Sequence, residues 1–352
     1  MESYVHNSTT GRVVFGVDTI DKLPEELARL SCSRALIIAT PQQLDHADRV
    51  KALLGDSAVA MFCGAAMHTP VDVTAAAMQV VEENRVDCLV AIGGGSTTGL
   101  GKAIAYRTDL PQVVIPTTYA GSEMTPILGQ TEHGIKTTLN DPKVLPEVVI
   151  YDVRLTLSLP QDMSGTSGLN AIAHAVEALY AKDKNPATSR MAEEGIAYLA
   201  GALPAIARDP RNLDARSDAL AGASLCGRCL ADVGMALHHK LCHTLGGSFE
   251  LPHAETHAAV LPHATAYNAM ADRDAMQAIE RALECDHAAT GLYELGLAVN
   301  AKMALRDLGL AESDLDRAAE LAVQNAYWNP RPIDRESLRS LLQRAWAGQP
   351  PA

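Results

Sequence analysis

Six of the twelve histidines lie within a short stretch of the chain, residues 238–263. His239 and His243 are four positions apart, so a helix places both on one face. Gly246-Gly247 predicts the end of that helix, and Pro252 predicts the start of a following helix, with His253 as its first residue. Imidazoles bind divalent metals and move protons near neutral pH, so this spacing predicts either a metal site or an acid–base site.

A second polar pair lies in an earlier segment that is typical of a helix. Asn170 and His174 are also four positions apart. Polar pairs on two helices, with a histidine at the start of a third, form a metal site or a catalytic pocket within a helical domain. For His257 and His263 the sequence leaves a structural and a functional role equally open.

A glycine loop, residues 93–96, lies earlier in the chain. It follows the apolar run CLVAI and precedes a helical segment. Glycines let the backbone approach a ligand closely, and a helix N-terminus attracts phosphate. We expect the pyrophosphate of a dinucleotide to bind Gly93, Gly94, Gly95 and Ser96.

Hydroxyl groups follow the next apolar run, in the segment PTTYAGSEMT. Parallel sheets bind ligands at the carboxyl ends of their strands, so this segment predicts the wall of the same site. Thr40 ends an earlier strand without an acidic residue, so nothing there repels a 2′-phosphate, and we expect both NADH and NADPH to bind. The nucleotide-lining candidates are Thr40, Thr117, Thr118, Ser122 and Thr125.

The elements that position these residues divide the chain into two parts. Residues 1–155 alternate short apolar runs with amphipathic segments, which indicates a mostly parallel sheet covered by helices. The runs lie at 13–17, 35–40, 59–64, 88–95, 112–116 and 147–152. Residues 156–352 carry helical periodicity, for example at 170–181, 214–233 and 272–290. We therefore expect an α/β dinucleotide-binding domain followed by an all-α domain that carries the histidines.

Composition excludes several classes of protein. A formal net charge of −13 offers no surface for nucleic acid or anionic membranes. No apolar run is long enough to span a membrane, and no signal peptide is visible, so we expect a cytoplasmic protein. The seven cysteines are scattered, which is not typical of a disulfide framework, and Cys226 and Cys229 are interpreted as buried thiols.

The order of these motifs resembles the iron-containing (group III) alcohol dehydrogenase superfamily over nearly the whole chain. The resemblance rests on GGGS, PTTYAGSE, the N-x3-H helix, the H-x3-H-x9-H run and Asn329-Pro330-Arg331. In that superfamily an aspartate and three histidines hold a divalent metal, and these positions correspond to Asn170, His174, His239 and His253. His243 corresponds to a further active-site histidine, and Lys136 to a position near the nicotinamide ribose.

Two positions depart from the superfamily pattern. Asn170 replaces the aspartate, and an amide is a poorer metal ligand than a carboxylate. Gly99 replaces an aspartate that commonly follows the glycine loop. These departures, together with the segment HHKLCHTLGGSFELPHAETHA, resemble the branch that reduces maleylacetate. That resemblance implies NADH or NADPH as hydride donor, a small dicarboxylate substrate, no required metal and a homodimer.

A mechanism follows as a hypothesis. Maleylacetate is an enone with two carboxylates, so hydride can add to the alkene carbon β to the ketone while a histidine protonates the neighbouring carbon. His243 is our first candidate for the proton donor, and His239 and His253 for polarising the ketone or binding a carboxylate. Asn170 and His174 would line the pocket, whereas Lys240 would either bind a carboxylate or point to solvent.

Three alternatives remain open at this point. A metal-dependent alcohol dehydrogenase of the same superfamily would require a metal at the histidines. A non-catalytic protein would bind a nucleotide or sequester metal without turnover. A sugar-phosphate cyclase relative would need a strong Zn²⁺ site, and Asn170 weakens this alternative.

Overall fold

The computed structural model describes residues 11–132 and 135–352, except for the side chains of residues 135 and 136. Of the described residues, those from 11 to 159 form one compact unit, and Pro160–Ala352 form a second. The first unit contains the sheet and the second is helical, which confirms the predicted fold class.

Six strands of the first unit form one parallel sheet in the order β1-β8-β5-β4-β2-β3. The strands are β1 Arg12–Gly16, β2 Ala35–Ile38, β3 Ala58–Phe62, β4 Cys88–Gly93, β5 Gln112–Pro116 and β8 Val148–Asp152. They coincide with the six predicted apolar runs to within two residues at most boundaries. The helices are α1 Leu23–Arg29, α2 Leu44–Leu54, α3 Val71–Glu83 and α4 Gly95–Thr108.

The sheet is buried on both faces, which explains why its strands lack polar alternation. Ile37 and Val90 point to the face that packs against α1 and α2. Their neighbours Leu36 and Leu89 point to the opposite face, against α3 and α4. Because β2, β4 and β5 are adjacent, the segments that follow them emerge at the same edge, as the sequence predicted.

A two-stranded antiparallel hairpin was not predicted from the sequence. It consists of β6 Ile127–Glu132 and β7 Ile135–Asn140. Its residues are largely polar and mostly half-exposed or exposed where their burial is described, so no hydrophobic pattern marks it.

The second unit contains nine α-helices in its described residues. They are α5 Gln161–Leu179, α6 Pro186–Arg208, α7 Leu213–Asp232, α8 Leu237–Phe249, α9 His253–Asn268, α10 Arg273–Leu283, α11 Ala288–Ala298, α12 Leu315–Val323 and α13 Arg335–Ala347. Helix α5 is buried over nearly its whole length, from Ser164 onward. Helices α8, α9, α12 and α13 share one apolar core.

Two helix predictions in this unit were wrong. We predicted that Gly246-Gly247 ends the helix of His239, but α8 continues to Phe249 and ends at Glu250, which has a left-handed backbone conformation. Glycine only weakens a helix, and Phe249 packs on the apolar core beyond the pair. The single predicted segment 272–290 is two helices, because Glu284 turns left-handed at φ 53°.

In the described part of the chain, no single helix is long and apolar enough to cross a membrane. One bent helix pair, Leu213–Asp232 with Leu237–Phe249, passes the same test of length and composition across a 96° bend.

Candidate active site

The glycine loop lies at the carboxyl end of β4 and leads directly into α4. Gly93 has φ +143°, a conformation that disfavours side chains, and a Cβ atom there would collide with Gln43 Oε1. Gly95 is exposed, and a Cβ atom there would meet nothing within 4 Å. The first N–H groups of α4 have no partner within their own helix, so this turn can receive an anion.

Gln43 connects the carboxyl ends of two strands, and sequence reasoning missed it. Its Nε2 donates to Thr117 Oγ1 at 2.8 Å, and its Oε1 accepts from Thr40 Oγ1 at 3.2 Å. The side chain therefore brings together two of the predicted nucleotide-lining threonines. A glutamine five residues after a strand is too common a feature to signal this role.

Lys102, on α4, was also missed. Its Nζ lies 2.6–3.0 Å from Ser122 O, Thr125 O, Thr125 Oγ1 and Ile127 O. Burial lowers the pKa of Lys102 to about 7, whereas the charge of Glu123 acts to raise it. The lysine thus ties the loop after β5 to the helix that begins at the glycine loop.

The remaining nucleotide-lining candidates differ in how accessible they are. Thr118 is half-buried, and a Cβ atom at Gly94 would lie 2.9 Å from its Cγ2. Thr125 is buried, and its hydroxyl is bonded to Lys102 and Ser122 O, so it supports the loop. The side chain of Lys136 lies outside the described residues.

Gly99, one of the two departures from the superfamily pattern, faces Thr69. A Cβ atom at Gly99 would overlap Thr69 Oγ1. Thr69 is buried and has φ 48°, a backbone conformation that few residues other than glycine adopt. An aspartate at position 99 would therefore require the Thr69 side chain to shift.

Helices α5, α8 and α9 bring six imidazoles together, and we call them the histidine cluster. The ring centroids of His174 and His239 lie 5.1 Å apart and those of His239 and His243 6.0 Å apart. His257 lies 5.0 Å from His239 and 4.4 Å from His253. The cluster consists of His174, His238, His239, His243, His253 and His257. It contains all four predicted site histidines.

Glu177 holds one face of this cluster in place. Its carboxylate accepts hydrogen bonds from Ala236 N at 2.8 Å, His238 N at 2.7 Å and His239 Nδ1 at 2.7 Å. The carboxylate therefore caps the N-terminus of α8 and orients the His239 ring. Sequence reasoning missed Glu177, although its position one helical turn after His174 is a signal that could have found it.

Several buried polar atoms of the histidine cluster and of Asn170 have no hydrogen-bond partner in the structure. They are Asn170 Oδ1, His174 Nδ1, His238 Nδ1, His239 Nε2 and His257 Nε2. Unsatisfied buried polar atoms destabilise the folded protein, and their concentration in one place is typical of a site that binds a polar ligand. Asn170 and His174 lie on α5, as predicted.

The deeper imidazoles are neutral. Burial, reinforced by the neighbouring imidazoles, lowers the pKa of His174, His238 and His257 well below the usual range. His238 Nε2 and His257 Nδ1 are hydrogen-bonded at 2.9 Å. His257 is thus part of the cluster, whereas the pKa of His263 is lowered to about 4 by burial and by the charge of Arg344, on α13.

His243 is more accessible, and its Nδ1 lies 3.1 Å from Tyr327 Oη. Tyr327 was not predicted as a site residue. The Lys240 ammonium lies 5.9 Å from the centroid of the same ring, and Lys240 is half-buried. Lys240 therefore packs beside Tyr327, and its role in binding a carboxylate stays a prediction.

Comparison with known proteins identifies the family. The model for iron-containing alcohol dehydrogenase matches residues 10–153, and that for the Fe-containing alcohol dehydrogenase family, C-terminal, matches residues 164–346. The chain belongs to the iron-containing alcohol dehydrogenase family. Within it, the maleylacetate reductase of Rhizobium sp. (strain MTP-10005) is 54% identical over 351 residues, 100% of each chain. That of Sphingobium indicum is 54% identical over 99% of each chain.

A solved member of the family has the same fold. The crystal structure of maleylacetate reductase from Agrobacterium tumefaciens superposes with a TM-score of 0.96 at 52% identity, covering 100% of both chains. The resemblance inferred from the motifs is therefore confirmed over the full length of the chain.

The family name implies iron, and the donor set does not fit a tightly held Fe²⁺. Asn170, His174, His239 and His253 are all neutral ligands, and the nearby carboxylate of Glu177 is occupied by three N–H donors. In the described residues, two other groups of three bring their ligand atoms within 4.8 Å of one another. These are His238–Cys242–His257 and Cys32–Asp87–Cys88. Neither group includes any of the four positions that correspond to the superfamily's metal ligands.

Proposed function

We propose that this chain reduces maleylacetate, and by extension chloromaleylacetates, to 3-oxoadipate with NADH or NADPH. The observation that carries the proposal is a group of buried side-chain atoms without partners, on Asn170, His174, His238, His239 and His257. The neutral amide of Asn170 does not repel a dianion, whereas a carboxylate in its place would. Relatives with this activity in their names match the whole chain at 54% identity.

The chemistry requires one hydride and one proton. The reduced nicotinamide supplies the hydride, which adds to the alkene carbon β to the ketone. Negative charge then spreads over the enolate, and hydrogen bonds from His239 or His253 would stabilise its oxygen. His243, the partly accessible ring of α8, would deliver the proton to the carbon next to the ketone. Asn170 and His174 would line the site from α5.

The residues at the sheet edge fit a nicotinamide dinucleotide. Gly93, Gly94, Gly95 and Ser96 would bind the pyrophosphate at the start of α4, with Thr117, Thr118 and Ser122 beside them. Thr40 has no carboxylate beside it, so the site would accept NADPH as well as NADH. Titration of protein fluorescence with each cofactor tests this, and rejection of NADPH by more than about a hundredfold would overturn it.

We further propose that turnover requires no metal. Purified protein would be dialysed against a chelator, its metal content measured, and NADH absorbance followed with freshly made maleylacetate. Rapid NADH oxidation by the metal-free protein supports both proposals. NADH oxidation that occurs only after Fe²⁺ or Zn²⁺ is added would support the reductase activity and contradict the proposal that no metal is required.

A metal-dependent alcohol dehydrogenase is the second candidate, because one observation favours it. His239 Nδ1 is held by a carboxylate, which is how metal-binding histidines are usually oriented. Inactivity towards maleylacetate, combined with metal-dependent oxidation of simple alcohols, would establish this candidate. Stoichiometric metal binding without any turnover would instead indicate a non-catalytic protein.

We also propose a cytoplasmic homodimer. The seven cysteines are all free thiols, which suits a reducing compartment. Strand β1 lies at an edge of the sheet, and Val13 and Phe15 on it are 37% and 40% exposed. Exposed apolar edge strands pair with other chains, so a second copy would cover this edge. Light scattering should give twice the chain mass, and Phe15→Glu should reduce it to the monomer mass.

A further inference from the structure

Tyr327 lies in the segment between α12 and α13, and its hydroxyl contacts the histidine cluster. The distance from Tyr327 Oη to His243 Nδ1 is 3.1 Å. The two rings are nearly perpendicular, at 75°, with centroids 6.2 Å apart. Tyr327 is 38% exposed, so it lies at the accessible side of the cluster, as His243 does.

The segment that carries Tyr327 is anchored to two helices of the cluster, α8 and α9. Asn329 and Asn268, at the end of α9, exchange reciprocal amide hydrogen bonds of 2.7 and 3.0 Å. Asn329 Oδ1 also accepts from Leu237 N at the start of α8, at 3.4 Å. Asn329 belongs to the Asn-Pro-Arg motif, so this motif fixes the segment against the two helices that carry most of the cluster.

The contact selects one form of the His243 ring. Burial, and to a lesser extent the charge of Glu177, raises the pKa of Tyr327, so its phenol keeps its proton through the neutral range. A phenol that donates to Nδ1 leaves the ring proton on Nε2. Nε2 is the ring nitrogen on the far side from the one that contacts Tyr327, and it carries the proton that the proposed reaction requires.

We propose that Tyr327 is a positioning residue that donates to His243 Nδ1 and thereby directs the Nε2–H of His243 towards the substrate. The inference rests on the proposed reductase function and adds a residue to it. The step balances through the same hydrogen bond: the hydride reduces the alkene carbon, His243 Nε2–H passes its proton to the neighbouring carbon, Nδ1 takes the proton of the Tyr327 hydroxyl, and the partly exposed phenol regains a proton from solvent. The loss of this hydroxyl should slow protonation and leave hydride transfer unchanged.

The test compares Tyr327→Phe with Tyr293→Phe. Both changes remove one phenol hydroxyl, but that of Tyr293 donates to Gly348 O at 2.8 Å and makes no contact with the cluster. For Tyr327→Phe we expect kcat to fall about fivefold or more, with KM for NADH unchanged. The solvent deuterium isotope effect on kcat should rise, and the effect of deuterated NADH should fall.

A merely structural role would lower kcat without moving either isotope effect, and that result would overturn the proposal. Equal kinetics for the two variants would overturn it as well. A wild-type protein inactive with maleylacetate would reject the function itself. In that case, ¹⁵N spectra of histidine-labelled protein still test the contact, with His243→Gln assigning the signal. An unchanged His243 ¹⁵N pattern in Tyr327→Phe would refute the hydrogen bond.

Discussion

The polar groups at the edge of the sheet are bonded to one another, whereas several buried atoms of the histidine cluster have no partner. Gln43 joins Thr40 to Thr117, and Lys102 contacts four oxygens of the neighbouring loop. In contrast, His174 Nδ1 and His239 Nε2 are buried without partners. The difference indicates that hydrogen bonds stabilise the edge of the sheet, whereas the histidine cluster is less stable because its unpartnered atoms are left available for a reaction.

The largest expected effect concerns turnover in the cluster. His243→Ala removes the candidate proton donor, so kcat should fall by about 10²- to 10⁴-fold. Binding of NADH, measured by fluorescence titration, should not change, because the glycine loop lies in the other unit of the chain. Turnover near that of the wild type would remove His243 from the mechanism.

Lys102→Met should lower the stability of the protein and leave kcat nearly unchanged. The substitution leaves buried carbonyl oxygens without a donor, so the free energy of unfolding should fall by about 3 kcal/mol. The KM for NADH should rise, whereas kcat at saturating NADH should change little. Lys51→Met, an exposed lysine on α2, is the control. Equal denaturation midpoints for the two variants would contradict the role assigned to Lys102.

Asn170→Asp tests the charge of the cluster. A carboxylate in place of the amide should strengthen Zn²⁺ binding about tenfold, which calorimetry on chelator-treated protein can measure. The same change should raise the KM for maleylacetate, because it adds a negative charge near a dianion. Unchanged metal affinity would indicate that Asn170 does not face the same space as the histidines.

The smallest expected effect is an increase in stability, which is unusual for a substitution of a buried residue. His174→Leu replaces a fully buried ring that has an unpartnered nitrogen with an apolar side chain of similar size. We expect the variant to be more stable by about 1 kcal/mol, with a higher melting temperature. A destabilised variant would show that the ring contributes more through packing than its unsatisfied nitrogen costs.

The sequence predicted the parts of the molecule that depend on local signals. The six parallel strands follow from short apolar runs, and the glycine loop follows from three successive glycines between a strand and a helix. The histidine positions follow from their spacing along α8 and α9. In each case the pattern that predicts the structure lies in residues close together in the sequence, so a single sequence was enough to recognise it.

The missed residues all act across long separations in the sequence. Glu177 contacts His239, 62 positions away, and Tyr327 contacts His243, 84 positions away. The position of Glu177 one turn after His174 indicates that it lies near the site, but only the folded chain shows which residue each of the two contacts. The wrong helix end at Gly246-Gly247 has the same origin, because the packing of Phe249 on the core outweighs the local preference of two glycines.

Glu177 has a mechanical consequence. One carboxylate receives the first N–H groups of α8 and the ring of His239, so α5 and α8 cannot slide past each other without exposing a buried charge. The imidazole is therefore held in one orientation before any substrate arrives. Orienting the imidazole therefore adds little to the activation free energy, because folding of the chain has already fixed the ring.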